Sequence, residues 1–199
     1  LKASGLRWLS LMLLAPVSWA GRVWALPFLT VLCPSERFSQ THRKRHKKLT
    51  VWARQMVCQL RRWLPGRKLV VVGDSSFAAI ELLAAASGYA AVVTRLRLDA
   101  ALYEPAPPRP PGQLGRPRMK GERLPKLEER LTAASTKWQE VEATWWYGRT
   151  EKRLEVATGT AVWYHSGMPV VPLRWVPLRW VLVRDPKGDL DPKGFLCTD

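Results

Sequence analysis

Two aspartates each follow directly on a short apolar run: Asp74 closes LVVVGD and Asp199 closes FLCTD. A carboxylate at the end of a buried strand is held by stiff backbone, and oxygen donors held in that way grip hard divalent cations at sites of phosphoryl chemistry. Nuclease-type chemistry is therefore the first expectation. The local reading of the same residues stands beside it: Asp74 or Ser75 caps the helix that follows, and an aspartate after a strand opens a turn.

The charge balance points to a polyanion. The chain of 199 residues carries 32 Lys+Arg against 16 Asp+Glu, a formal charge of +16 and a pI of about 10.5, far from the near balance of an ordinary soluble enzyme. Eleven Lys and Arg and no acid lie between Arg37 and Gly73, with HRKRHKK at His42 to Lys48. From Ser35 to Leu64 the pattern is helical. Leu49, Trp52, Met56, Leu60 and Trp63 share one face, and Arg54, Arg61 and Arg62 lie on the other. Arg43, Lys44, Arg45, Lys47, Lys48, Arg54, Arg61 and Arg62 are the candidate nucleic-acid contacts. A solvated face, a localisation signal or a membrane-surface patch would use the same residues. Three scattered cysteines, Cys33, Cys58 and Cys197, suggest neither a disulfide framework nor a zinc site and fit a reducing cytoplasm.

The elements that must position these groups fall into two segments, a basic helical one over 1–66 and an α/β one over 67–199. Leu6 to Leu32 is the most apolar stretch and is expected as two buried helical pieces hinged near Pro16 to Gly21. A membrane or secretory reading competes, but the unbroken run from Trp8 to Ala20 spans only 13 residues, too few to cross a bilayer. A strand at Leu69 to Val72, a helix from about Phe77 to Ser87 and a strand at Ala91 to Leu98 follow. The linker at 104–118 is rich in Pro and Arg. Its GRPRMKG string, with Arg116, Arg118 and Lys120, has the form of an Arg-Pro hook for a narrow A·T minor groove, or of a flexible crossover. After a short helix at Leu124 to Ala133, strands are expected at Trp138 to Trp146, Arg153 to Tyr164, Leu178 to Arg184 and Phe195 to Thr198. Asp185, Asp189 and Asp191 read as turn residues, not ligands. VPLRW occurs twice in tandem, at 171–175 and 176–180. An odd repeat exchanges the two faces of a strand, so the second copy is expected to form the strand and the first to be pushed out as a loop or bulge.

LVVVGDSSFAAIELL, VVTRLRLDAALYEPAPP, GRPRMKGERLP, GTAVWYH, VPLRWVLVRDP and FLCTD, in that order and with RHKKLTVWARQM upstream, resemble the DDE transposases of bacterial insertion sequences. The resemblance implies an α/β, RNase H-like mixed sheet flanked by helices, preceded here by the N-terminal helical segment. It implies Asp74 and Asp199 as the first and second catalytic, metal-binding aspartates, with Mg²⁺ or Mn²⁺ as cofactor. It further implies DNA cleavage and strand transfer on transposon ends and target DNA, a cytoplasmic, nucleoid-associated protein with no membrane partner, and oligomerisation of the intact protein. The third carboxylate, a glutamate on a later helix, is expected beyond Asp199. The chain, starting at Leu1 and stopping at Asp199, thus reads as a truncated transposase that is inactive alone. Ser75 and Ser76 would shape the turn or meet phosphate, and His165 reads as structural. Two further classes stay open: a non-catalytic basic DNA-binding module, and a membrane-associated basic protein.

Overall fold

The computed structural model describes residues 6–112, 114–146, 150–164 and 175–199, which fall into two compact units, Leu1–Arg67 and Lys68–Asp199.

The first unit opens with strands, not helices. β1 (Trp8–Val17) and β2 (Arg22–Leu32) form an antiparallel hairpin, which corrects the helical expectation for Leu6 to Leu32. A run that is apolar at nearly every position has no period to separate helix from strand. The prolines decide it locally, because Pro16 and Pro27 would each break a helix, whereas a two-stranded ribbon leaves outer edges where a missing N–H costs nothing. Leu11 pairs with Leu29 and Met12 with Pro27, so the register bulges at Phe28 beside the proline. Gly21 closes the turn with φ 59°, a left-handed conformation that glycine adopts without strain. The Ser10 and Thr30 hydroxyls bond across the strands at 2.8 Å. Two helices follow, α1 (Glu36–Thr41), capped by the Ser35 side chain, and α2 (Leu49–Trp63). α2 turns Ala53, Met56 and Val57 inward and packs on β1. The basic run at 42–48 breaks the single expected helix in two: Arg43 takes φ 50°, and like charges at helical spacing repel.

The second unit is a seven-stranded mixed sheet: β3 (Val70–Gly73), β4 (Ala91–Leu96), β5 (Leu102–Tyr103), β6 (Gln139–Trp146), β7 (Thr150–Tyr164), β8 (Trp175–Arg184) and β9 (Lys193–Cys197). Its spatial order is β3-β4-β9-β8-β7-β5, with β6 paired to β7. Only β3 and β4 run parallel, joined by α3 (Ile80–Ala86), whose IELLAAA sequence combines strong helix formers with buried Leu82, Leu83 and Ala86. α3 lies over β4 and β8, and α4 (Leu127–Thr132) inserts Leu127 against Gly194 of β9. Leu83, Leu127, Leu182 and Leu196 are fully buried there, each worth about 1.5–3 kcal/mol of transfer free energy. This is the mixed sheet flanked by helices, RNase H-like in class, that the resemblance implies.

The second VPLRW copy lies within β8, as expected, and Pro177 sits beyond the last residue paired to β9, Arg179. The first copy, up to Arg174, and His165 lie outside the described residues. The linker at 104–118 forms a loop tied at its base, where Gly121 N–H donates to Glu104 O and Glu104 N–H to Glu122 O, each at 2.8 Å.

Candidate functional site

Asp74 is placed by β3, whose final residue it follows. Its Oδ1 accepts the Ser76 N–H at 2.8 Å and starts a 3₁₀ turn at Ser75–Phe77. The capping role and a position at a strand end are therefore both real, and the exposed carboxylate keeps acceptor capacity beyond that one bond.

Asp199 is placed by β9, an interior strand, and lies at the opposite end of the sheet's strands from Asp74. β3 and β4 run parallel with Val70 beside Ala91 and Gly73 beside Thr94, whereas β9 runs against β4 with Val93 beside Cys197 and Leu96 beside Gly194. Extending that register sets Asp199 in the row of Ala91 and Val70, and Asp74 one step past Thr94. The two backbones are thus separated by four residues along the strands and two strand spacings across them, roughly 16 Å. A shared Mg²⁺ would need an oxygen of each at about 2.1 Å. Asp199 is instead paired with Lys68, just ahead of β3, at 2.9 Å. The hydrogen bond to that carboxylate raises the Lys68 pKa above its usual value. The expectation that Asp74 and Asp199 form one metal site is corrected by strand direction: two aspartates that follow strands share an edge only when the strands run the same way.

The end of the sheet that carries Asp74 also carries the turn between β8 and β9, with Asp185, Asp189 and Asp191. The Asp185 side chain is buried and paired with Lys152 Nζ at 2.8 Å, with Asp189 at 3.6 Å from the same ammonium. The hydrogen bond from Lys152 is the main cause that holds the Asp185 pKa below its usual value. With Glu142, Glu151, Arg153 and Lys187 these groups line a cavity of about 470 Å³ in which charges of both signs offset one another. No group of three or more His, Cys, Asp or Glu suited to a metal ion is present among the described residues. Asp74 therefore belongs to no such group among the described residues, which do not fit a two-metal centre.

The basic candidates divide by what holds them. Arg43, Lys44, Arg45, Lys48, Arg54 and Arg62 are exposed, and no side-chain partner engages them among the described residues. Lys47 is half-buried, its ammonium 4.4 Å from the Trp52 ring and bonded to Gln55 at 3.3 Å. Arg61 donates to the Arg67 carbonyl at 2.6 Å. Arg116 and Arg118 are exposed on the tied loop. Lys120 is not: its ammonium lies 3.5 Å from the Tyr103 ring and 4.7 Å from the Tyr164 ring, which form an edge-to-face pair. The sequence pattern named the cations but could not show that aromatic faces occupy two of them.

None of the described helices is long and apolar enough to cross a membrane. No curated protein and no solved structure matches the chain. The profile of the DDE superfamily endonucleases matches residues 1–153, a range that includes the basic segment and Asp74 and stops short of Asp199. By that match, which covers more than half its length, the chain belongs to the DDE superfamily endonucleases.

Proposed function

We propose that the chain is the DNA-handling portion of a transposase, acting where DNA is cut and its strands are joined during transposition. The observation that carries this reading is the family match, which takes in both the cation-rich segment and Asp74. Arg43, Lys44, Arg45, Lys48, Arg54 and Arg62 supply phosphate contacts, with Arg116 and Arg118 as additional ones. Asp74 is the carboxylate offered to the reacting phosphodiester. Ser76 fixes its orientation through the backbone N–H bond to Oδ1.

DDE superfamily endonucleases use divalent metal ions, here Mg²⁺ or Mn²⁺. One carboxylate cannot hold two such ions at catalytic separation, so this chain by itself binds DNA and does not turn it over. Asp199 serves the sheet edge through Lys68 and takes no part in the chemistry. A non-catalytic DNA-binding module shares the same surface, and the lack of a three-ligand metal group among the described residues favours it as the second reading.

Two measurements on the full chain test this. Duplex-DNA affinity is followed between 50 and 200 mM salt, about the range over which phosphate contacts dominate. Replacing the six unengaged cations of 43–62 by Ser lowers the affinity and flattens the salt slope by about 0.9 per phosphate contact removed. An unchanged slope would overturn the assignment of the basic segment. In a nicking assay with Mg²⁺ or Mn²⁺ the chain shows no turnover. Turnover that Asp74→Ala abolishes and Asp199→Asn spares would place a complete site around Asp74, and turnover abolished by both would restore Asp199 to it.

A further inference from the structure

The apex of the β1–β2 hairpin presents one aromatic ring to solvent in a way that neither the fold nor the DNA reading uses. Trp19 is 80% exposed, in the three-residue 3₁₀ turn Ser18–Ala20 that joins the strands. An indole is rarely left in water in a well-formed turn, because burying it would contribute more than almost any other side chain. The turn is not loose. Gly21 N–H donates to Ser18 O at 3.1 Å and adopts the left-handed conformation that closes the apex. The Trp19 ring stands edge-to-face on Trp24, with centroids 5.3 Å apart and an interplanar angle of 69°. Trp24 in turn lies beneath the exposed guanidinium of Arg22, 5.8 Å from its ring. The ring that faces outward is therefore braced from behind and flanked by a cation.

The surroundings say what such a ring would meet. Residues 1–67 carry thirteen Lys and Arg against one acid, Glu36, so the unit that displays Trp19 attracts polyanions and repels basic partners. Among polyanions, nucleic acid alone adds flat aromatic faces to its phosphates. Stacking on an aromatic side chain requires a base that is not already stacked between its neighbours, as in a single strand, a flap or a distorted step. We infer that Trp19 is a stacking platform for an unpaired nucleobase, with Arg22 neutralising an adjacent phosphate. The inference rests on the DNA reading above and adds to it a preference for DNA whose strands have been separated at an end.

The test uses the full chain and a duplex bearing a short single-stranded overhang with 2-aminopurine as its first unpaired base, alongside the same duplex with flush ends. Wild-type protein quenches the probe and binds the overhang duplex more tightly. Trp19→Ala removes the quench and weakens overhang binding about five- to a hundredfold, the range measured for removing one base–aromatic stack, while flush-duplex binding changes less than twofold. Trp19→Phe, which keeps a ring, retains part of both effects. Equal loss on both duplexes, or no loss on either, would overturn the stacking assignment and leave the DNA reading in place. Wild-type protein that binds neither duplex would sink the DNA reading and this inference together. Retention on phosphatidylserine vesicles that Trp19→Ala abolishes, with no effect on the overhang duplex, would move the ring to a membrane interface.

Discussion

The two compact units dispose of similar residues in opposite ways. Residues 1–67 hold a net charge of +12 and residues 68–199 only +4, from nineteen Lys and Arg against fifteen acids. Burial is distributed the other way. Cys33, Ala53, Met56 and Val57 are the buried apolar residues described in the first unit, against eighteen in the second. The first unit is not poor in apolar side chains, since Trp8, Met12, Leu13, Leu14, Val23 and Phe28 are all more than 40% exposed. It lacks layers. A two-stranded ribbon with α2 packed on β1 gives only a narrow apolar face to cover, whereas a seven-stranded sheet with α3 and α4 laid on it buries whole residues. Apolar content thus decides little until topology provides something to pack against. The charge follows the same division: the unit that buries least is the one whose surface is given over to cations.

That contrast can be broken most directly at the centre of β8. Leu182 is fully buried, between Ala157 of β7 and Gly194 of β9 in the register, and Leu182→Ala is expected to cost about 2–5 kcal/mol. Met56 is the corresponding buried residue of α2, but it shares its unit with only three other described buried apolar residues, Cys33, Ala53 and Val57, so Met56→Ala is expected to cost less and to loosen only residues 1–67. Urea unfolding combined with limited proteolysis checks both. Equal losses, or one cooperative transition lost alike in the two variants, would show that the units do not differ in how their cores are held.

A smaller effect sharpens the comparison inside the second unit. A Cβ added at Gly159 would lie 2.6 Å from Trp180 Cζ2. The Trp180 indole is buried and is covered by the Arg130 guanidinium, 4.9 Å from its ring, so it cannot swing aside freely. Gly159→Ala is expected to lose about 1–3 kcal/mol through this overpacking. Gly88→Ala is the control, since an added Cβ there meets nothing within 4 Å and no left-handed φ is involved. A Gly159→Ala melt that matches the Gly88→Ala melt would mean that the β7–β8 face is less tightly filled than its contacts indicate.

What could be read from the sequence follows the same physical division. The strand, turn and helix from Leu69 to Leu96 were legible because VVVG, DSS and IELLAAA each carry one local signal, and β6 to β9 were legible from their strand-forming composition. The Leu6 to Leu32 hairpin was not, because an apolar residue at nearly every position erases the difference between periods of 2 and 3.6. β5 was too short to announce itself. At the candidate site, Asp74 was legible as a strand-end carboxylate. The place of Asp199 was not, since nothing in FLCTD records that β9 runs against β3 and β4. Direction is a property of the whole sheet and is not written in the residues of either strand.

The smallest expected effect concerns the buried Asp185 and its partner Lys152 in the second unit. Asp185 has a pKa lowered by the Lys152 hydrogen bond, and Lys152 has one raised by the same bond. A lowered carboxylate pKa contributes stability that is present above the unfolded value, near pH 3.9, and is lost as the pH falls through the folded one. A raised lysine pKa contributes stability that is present below the unfolded value, near pH 10.4, and is lost as the pH rises through the folded one. The pair is thus intact between those limits. Wild-type and Asp185→Asn melting temperatures should differ at pH 6–8 and converge as the pH is lowered through 4 toward 2, because wild-type Asp185 then becomes neutral too. A gap that stays constant across that range would assign the role of Asp185 to its hydrogen bond from Lys187 N–H, 3.1 Å away, and not to its charge.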